Sequence, residues 1–176
     1  QTITSQVNLG GTQTWDASSG NIDVSGDVAL GGNNLTVAGS NDTSLSGDIS
    51  GSGKLIKRDT GSVTLSGNNS TFTGSVVVEN GTLIVGSNST FDSSLDIELG
   101  GGTLALNDGV TETLQNLTLS ANSVIDMGNG GSLTFTGSVT DLDTYQLEIW
   151  NWNGNPYGPN QPLNTDALFF TGQSFA

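Results

Sequence analysis

The strongest constraint on this sequence is a short internal repeat. Five apolar residues, each entering a polar turn, follow one another at offsets of 21, 20, 20 and 21 residues. They begin the strings VSGD at Val24, LSGD at Leu45, LSGN at Leu65, VGSN at Val85 and LNDG at Leu106. A second apolar series keeps the same period about half a repeat out of phase: Leu35, Leu55, Val76, Ile97 and Leu117. A unit of this size cannot bury an apolar face alone, so the units must stack on one another.

Each period contains short alternating segments, such as NLTV, SVTL, TLIV and TLAL, which are typical of β-strands. Gly, Asn, Ser and Asp separate them, as tight corners require. In a β-solenoid each repeat forms one coil, and its strands pair in parallel with those of the coils above and below. The sequence therefore predicts an all-β fold, a right-handed parallel β-helix of about seven coils with 20–21 residues per coil. The two apolar series then become two interior ladders.

An antiparallel sandwich of many short strands would show similar turn signals. It does not predict a fixed period, so the constancy of the repeat favours the solenoid. Half of the 176 residues are Gly, Ser, Thr or Asn, which raises the question of disorder. Leu, Ile, Val and Phe number 45, about 26% of the chain and above the roughly 20% below which a core is not expected. The chain should fold.

The ends differ from the middle. We expect an N-terminal cap over residues 1–20, solenoid repeats over 21–140, and a C-terminal cap, proline-containing loop and terminal strand over 141–176. The period is lost from Asp141 onward, and all 3 Pro residues fall within 156–162. Five aromatic residues are candidates for capping or assembly: Trp15, Trp150, Trp152, Phe169 and Phe170. Because the sequence begins at Gln1 rather than Met, we expect a processed or excerpted product.

The charge and composition exclude several functions. With 3 basic and 17 acidic residues the net charge is −14, which does not suit nucleic acid or an anionic membrane as a partner. No apolar run is long enough for a transmembrane helix, so no membrane insertion is expected. With no Cys and no His, cysteine nucleophiles, Ser-His-Asp triads and zinc or haem sites built on these residues are excluded.

The three basic residues form one cluster, Lys54, Lys57 and Arg58. The cluster is a candidate contact for an acidic surface, including that of another copy of the chain. The alternative is that it pairs with neighbouring acids such as Asp59 and has no further role.

Two acids, Asp27 and Asp48, occupy equivalent turn positions one coil apart and should stack at roughly 5 Å. Two carboxylates with nearby amide and backbone oxygens make a calcium site one interpretation. A repeated Asx turn is the other, and the absence of a GGxGxDxUx repeat favours it. No other cofactor is expected.

Residues 50–87 carry a GSG turn, Leu-x-Lys, G-x-x-x-Leu-x-G-x-N, T-x-x-G and G-x-Leu-x-Val. The matching residues are Gly51, Gly53, Leu55, Lys57, Gly61, Leu65, Gly67, Asn69, Gly74, Gly81, Leu83 and Val85. This segment resembles the autotransporter-associated β-strand repeat, also called the passenger-associated transport repeat. QTW at 13–15, LEIWNWNG at 147–154 and TDALFF at 165–170 are similar to the flanks of secreted bacterial proteins of the PEP-CTERM type. The resemblance implies a secreted or surface-displayed bacterial β-solenoid without enzymatic activity in the repeat. Arg58-Asp59 stand where the repeat usually has small residues.

From these features we expect a non-catalytic structural protein, a rigid extracellular rod on a bacterial cell surface for display or adhesion. Its expected partners are further copies, stacked end to end or linked by strand exchange into a filament, or other cell-surface components. The strand ALFFTGQSFA is apolar enough to complete a neighbouring copy. The alternative is a carbohydrate-binding or carbohydrate-degrading β-helix in which Trp15, Trp150, Trp152 or Tyr157 stacks on sugars.

Overall fold

The computed structural model describes residues 1–88, 90–152 and 167–170. These residues contain short strands, turns and bends but no helix. The strands are, in chain order, β1 (Thr2–Ile3), β2 (Val7–Asn8), β3 (Gln13–Asp16), β4 (Ile22–Val24), β5 (Val28–Ala29), β6 (Leu35–Ala38), β7 (Thr43–Leu45), β8 (Ile49–Ser50), β9 (Lys54–Lys57), β10 (Ser62–Leu65), β11 (Ser75–Val78), β12 (Thr82–Val85), β13 (Asp96–Leu99), β14 (Thr103–Leu106), β15 (Thr111–Leu114), β16 (Leu117–Leu119), β17 (Ser123–Asp126), β18 (Ser132–Phe135), β19 (Val139–Thr140), β20 (Leu147–Trp150) and β21 (Ala167–Phe170).

The strands stack into three faces. The first face has the order β1-β4-β7-β10-β12-β14-β17-β20, and the third has the order β3-β6-β9-β11-β13-β16-β19. The middle face, whose strands lie between the other two in each coil, consists of β2-β5-β8 and, separately, β15-β18-β21. Every strand pair is parallel. The predicted β-solenoid of about seven coils is therefore confirmed, whereas its right-handedness and its aromatic caps stay predictions.

Both interior ladders predicted from the repeat are confirmed. On the first face Val24 pairs with Leu45, Leu45 with Leu65, Leu65 with Val85, and Val85 with Leu106. On the third face the ladder continues without a break through Leu35, Leu55, Val76, Ile97 and Leu117. All ten side chains are buried. The core is thus one apolar column along the solenoid, enclosed by the three faces.

The middle face is interrupted halfway along. Between β8 and β15 the described residues of this face form two isolated bridges in place of strands, Gly51 with Phe72 and Asn69 with Phe91. Both phenylalanine side chains are buried in the core. Two coils therefore lack a regular middle strand and close their core with aromatic rings instead.

Beyond the repeats the stack continues with longer connections. Ser123 of β17 pairs with Leu147 of β20, an offset of 24 residues, and Ser132 of β18 pairs with Ala167 of β21, an offset of 35. The rings of Phe135 and Phe170 stack with centroids 5.6 Å apart. The proline-containing segment and Tyr157 lie outside the described residues. A search of the described part of the chain finds no helix that could span a membrane.

Candidate functional site

The basic cluster does not present three charges to solvent. Lys57 lies two positions after the inward-facing Leu55 on β9, points to the same side and is only 2% exposed. Its Nζ donates hydrogen bonds to the carbonyl oxygens of Arg58, of Asp59 at 2.7 Å and of Asn80 at 3.3 Å. Donation to three carbonyl oxygens at once needs three N–H groups, which the lysine side chain has only as a protonated ammonium group. Burial lowers the pKa of Lys57, and the Asp59 carboxylate opposes this shift.

The other two members of the cluster lie on the surface. Arg58 makes a two-point contact with Glu79, with Nε–Oε2 at 2.5 Å and Nη2–Oε1 at 3.0 Å. Both side chains are substantially exposed, so the pair contributes little to stability. Lys54 is exposed. Within the part of the chain that the structure describes, a partner would meet one exposed lysine without an ion pair, Lys54, and one arginine paired with Glu79.

Asp27 and Asp48 stack one coil apart, as expected, and each carboxylate contacts the backbone of the next coil. Asp27 Oδ1 accepts a hydrogen bond from the Asp48 N–H at 3.0 Å, and Asp48 Oδ1 accepts one from the Asn68 N–H at 2.7 Å. These bonds use the side chains to join successive corners. Within the described residues no group of three or more Asp or Glu side chains could hold a metal ion. Calcium binding at Asp27 and Asp48 stays a prediction, for which calorimetric titration is the direct measurement.

Side chains replace missing strand hydrogen bonds in the interrupted part of the middle face. Asn69 Oδ1 accepts a hydrogen bond from the Ile49 N–H of the preceding coil at 2.6 Å. Glu112, on β15, accepts bonds from the Phe91 N–H at 3.3 Å and from the Thr113 N–H at 3.0 Å. Both side chains are buried. Desolvation raises the pKa of Glu112 to about 7, against the lowering effect of its backbone donors.

An open groove of about 630 Å³ lies beside this interruption and is lined by Asn68, Asn88, Asp92, Glu112 and several serines. Three side-chain oxygens that line the groove accept hydrogen bonds from nearby residues. Asn68 Oδ1 accepts from the Ser70 N–H, Asn88 Oδ1 from the Thr111 N–H, and Asp92 Oδ1 from Ser94. The contact with Ser94 lowers the pKa of Asp92. The arrangement therefore stabilises turns and offers a polar surface to solvent.

The aromatic candidates divide between the two ends of the described stack. Trp15, on β3, is partly buried against the core. At the other end Trp150 and Phe169 are half exposed, and Trp150 Nε1 donates to Glu148 Oε2 at 2.9 Å. Trp152 lines an open apolar cavity of about 340 Å³ together with Ile149 and Leu168. Phe170 stacks on Phe135 of the preceding coil.

Sequence reasoning missed the buried roles of Lys57, Asn69 and Glu112. The alternation within a strand carried a signal for two of them. Lys57 has the same parity as Leu55 on β9, and Glu112 the same parity as Leu114 on β15. Side chains two positions apart on a strand point to the same side, so both charged groups should face inward with their leucines. Asn69 lies in an isolated bridge and had no such signal.

Comparison with known proteins identifies one segment of the chain. Residues 55–85 match the model of the passenger-associated-transport-repeat family. No curated protein and no solved structure matches the chain. The matched segment contains the buried Leu55, Lys57 and Leu65, together with Gly81 at a positive φ of 68°. This chain is thus a β-solenoid in which residues 55–85 match the passenger-associated-transport-repeat, a repeat family associated with autotransporter passengers.

Proposed function

We propose that this chain is a non-catalytic part of a secreted or surface-displayed bacterial protein, and that its solenoid is a stiff spacer for display or adhesion. The observation that carries the proposal is the continuity of the two interior ladders, in register across successive coils. A single packed column resists bending because interiors are close-packed and poorly compressible. The passenger-repeat match supports the surface location.

The surface location has a direct test, because the chain contains no Cys. Thr60 lies on an exposed corner, so Thr60→Cys provides a single accessible thiol. Within the full gene product, a membrane-impermeant maleimide should label this thiol equally on intact cells and after lysis, as mapped by mass spectrometry. Leu65→Cys, buried in the first ladder, is the matched control and should remain unlabelled while the chain is folded. Labelling of Thr60→Cys only after lysis would contradict the proposal.

We further propose that copies associate end to end. The exposed Trp150 and Phe169 and the cavity lined by Ile149, Trp152 and Leu168 support this step, because apolar surface at the end of a coil favours burial by another chain. Sedimentation over a range of concentrations should show assemblies, which a Phe169→Ser variant weakens. Ile84→Ser, a partly exposed residue on the first face, is the control. A chain that stays monomeric at high concentration, without filaments by electron microscopy, would count decisively against association.

A carbohydrate-binding role is the second candidate, supported by Trp150. This indole is half exposed and held by a hydrogen bond to the Glu148 carboxylate, which places an aromatic face beside an acceptor for sugar hydroxyls. A glycan array should then show binding that Trp150→Ala abolishes. Absence of binding to all polysaccharides tested would leave the spacer role as the better account.

A further inference from the structure

We propose that Asn80 is a modification site, where the side-chain amide is lost through an intramolecular succinimide to leave aspartate or isoaspartate. This inference concerns the corner between β11 and β12 and is independent of the proposed spacer role. Asn80 is exposed and is followed by Gly81. The Gly81 N–H donates to Asn80 Oδ1 at 2.7 Å. The nitrogen that would attack is therefore already held next to the side-chain amide.

Position 81 must remain glycine, which keeps the attacking nitrogen unshielded. Gly81 has a φ of 68°, and a Cβ there would lie 2.3 Å from the Asp59 carbonyl oxygen and 2.4 Å from that of Gly61. No side chain can be accommodated without moving backbone. The close packing of this corner therefore requires glycine after Asn80.

Lys57 acts on the same peptide bond. Its Nζ donates to the Asn80 carbonyl oxygen at 3.3 Å, and this carbonyl belongs to the peptide whose nitrogen is that of Gly81. An ammonium group on the oxygen stabilises negative charge on the peptide when its N–H proton leaves. Lys57 is thus a positioning residue that assists formation of the nucleophile.

The reaction needs only water. The Gly81 nitrogen gives its proton to solvent base and forms a bond to Asn80 Cγ, while the Cγ–Nδ2 bond breaks and ammonia leaves with a proton from solvent. Water then opens the five-membered ring at either carbonyl carbon. Opening at the backbone carbonyl leaves isoaspartate, which inserts an additional carbon into the main chain at the corner that Lys57 holds.

The test follows the unmodified chain during incubation at neutral and mildly alkaline pH, folded and in urea, with peptide mapping of the deamidation mass gain. We expect conversion at Asn80 to be about tenfold faster in the folded chain, the factor associated with one charge-assisted hydrogen bond. Asn129-Gly130 provides an internal reference for Asn-Gly chemistry in urea. Asn80→Gln should remove the signal and confirm its assignment.

Lys57→Met should slow conversion in the folded chain, provided that circular dichroism shows a folded variant. The comparison between folded and urea-denatured unmodified chain stands without any variant. Conversion in the folded chain at the same rate as in urea, or more slowly, would overturn the proposal, because the fold would then give no assistance.

Discussion

At the residue scale, two charged side chains lie inside a solenoid whose other interior positions are largely apolar. Lys57 and Glu112 are 2% and 1% exposed. Each contacts backbone groups. The lysine donates to carbonyl oxygens of a corner. The glutamate accepts from the Phe91 N–H, where the middle face has no regular strand, and from the Thr113 N–H of its own strand β15. Buried polar groups without partners are costly, so both residues stabilise backbone that the β-ladders leave unpaired.

The first prediction concerns Lys57. Lys57→Met should lower the free energy of unfolding by about 2–4 kcal/mol, because the corner carbonyls lose a buried donor. Lys54→Met changes an exposed lysine on the same strand, and its free energy of unfolding should lie within about 0.5 kcal/mol of that of the unmodified chain. Urea unfolding followed by circular dichroism measures both. Equal effects of the two substitutions would show that the Lys57 contacts contribute no stability.

The second prediction is a pH dependence that arises from Glu112. Its folded pKa of about 7 lies above its ordinary value of 4.5, so the folded chain binds more protons than the unfolded chain between these values. The contribution to stability is therefore greatest below pH 4.5, falls as pH rises through this window, and is level above about 7. The free energy of unfolding should fall by about 3 kcal/mol over this window, since one pKa unit corresponds to about 1.4 kcal/mol.

Glu112→Gln carries no titrating group, so stability measured against the unmodified chain isolates this effect. Between pH 4.5 and 7 the free energy of unfolding of the variant should rise steadily relative to that of the unmodified chain. Urea unfolding at a series of pH values measures this difference. Glu98→Gln, at a partly exposed carboxylate bonded to Ser120, is the control. A difference between Glu112→Gln and the unmodified chain that does not vary with pH would contradict the assignment.

At the element scale, the repeat predicted the two faces in which strands recur at 20–22 residues, because apolar residues mark the interior position in almost every coil. The middle face could not be read in the same way. Asn69, in the interrupted part of this face, and Glu112, on β15, occupy interior positions, although polar residues in a sequence are normally assigned to the surface. The ends were only partly predictable, since offsets of 24 and 35 residues follow from the connections and not from the repeat.

The third prediction concerns the glycines that recur at 21-residue intervals, Gly32, Gly53 and Gly74. A Cβ at Gly53 would lie 1.7 Å from the Asn33 carbonyl oxygen, whereas a Cβ at Gly32 would meet no atom within 4 Å. Gly53→Ala should therefore push two coils apart and lower the free energy of unfolding by about 2 kcal/mol or more. Gly32→Ala, the matched control, should be close to neutral. Thermal unfolding measures the melting temperatures of both variants. Equal values would contradict the steric clash expected at Gly53.

At the scale of the whole molecule, stability is carried by contacts between adjacent coils. Among the described residues, each strand of the first and third faces pairs with its counterparts one coil away, so this part of the chain approximates a one-dimensional stack. A destabilising substitution in one coil should therefore also destabilise the neighbouring coils, with an effect that decreases with distance. In a globular domain with interwoven contacts the same substitution would destabilise the whole domain.

The fourth prediction tests this stack at its centre. Leu65 lies in the first-face ladder, between Leu45 and Val85, and is fully buried. Leu65→Ala should lower the free energy of unfolding by about 2–5 kcal/mol, because it leaves a cavity in the core. Native-state hydrogen exchange should then accelerate most in β7, β10 and β12 and progressively less toward β1 and β17. Thr64→Ala, whose side chain points outward on the same strand, is the control and should leave exchange nearly unchanged. Equal acceleration in every coil would mean that the solenoid unfolds as one cooperative unit, and the coil-by-coil description of its stability would be wrong.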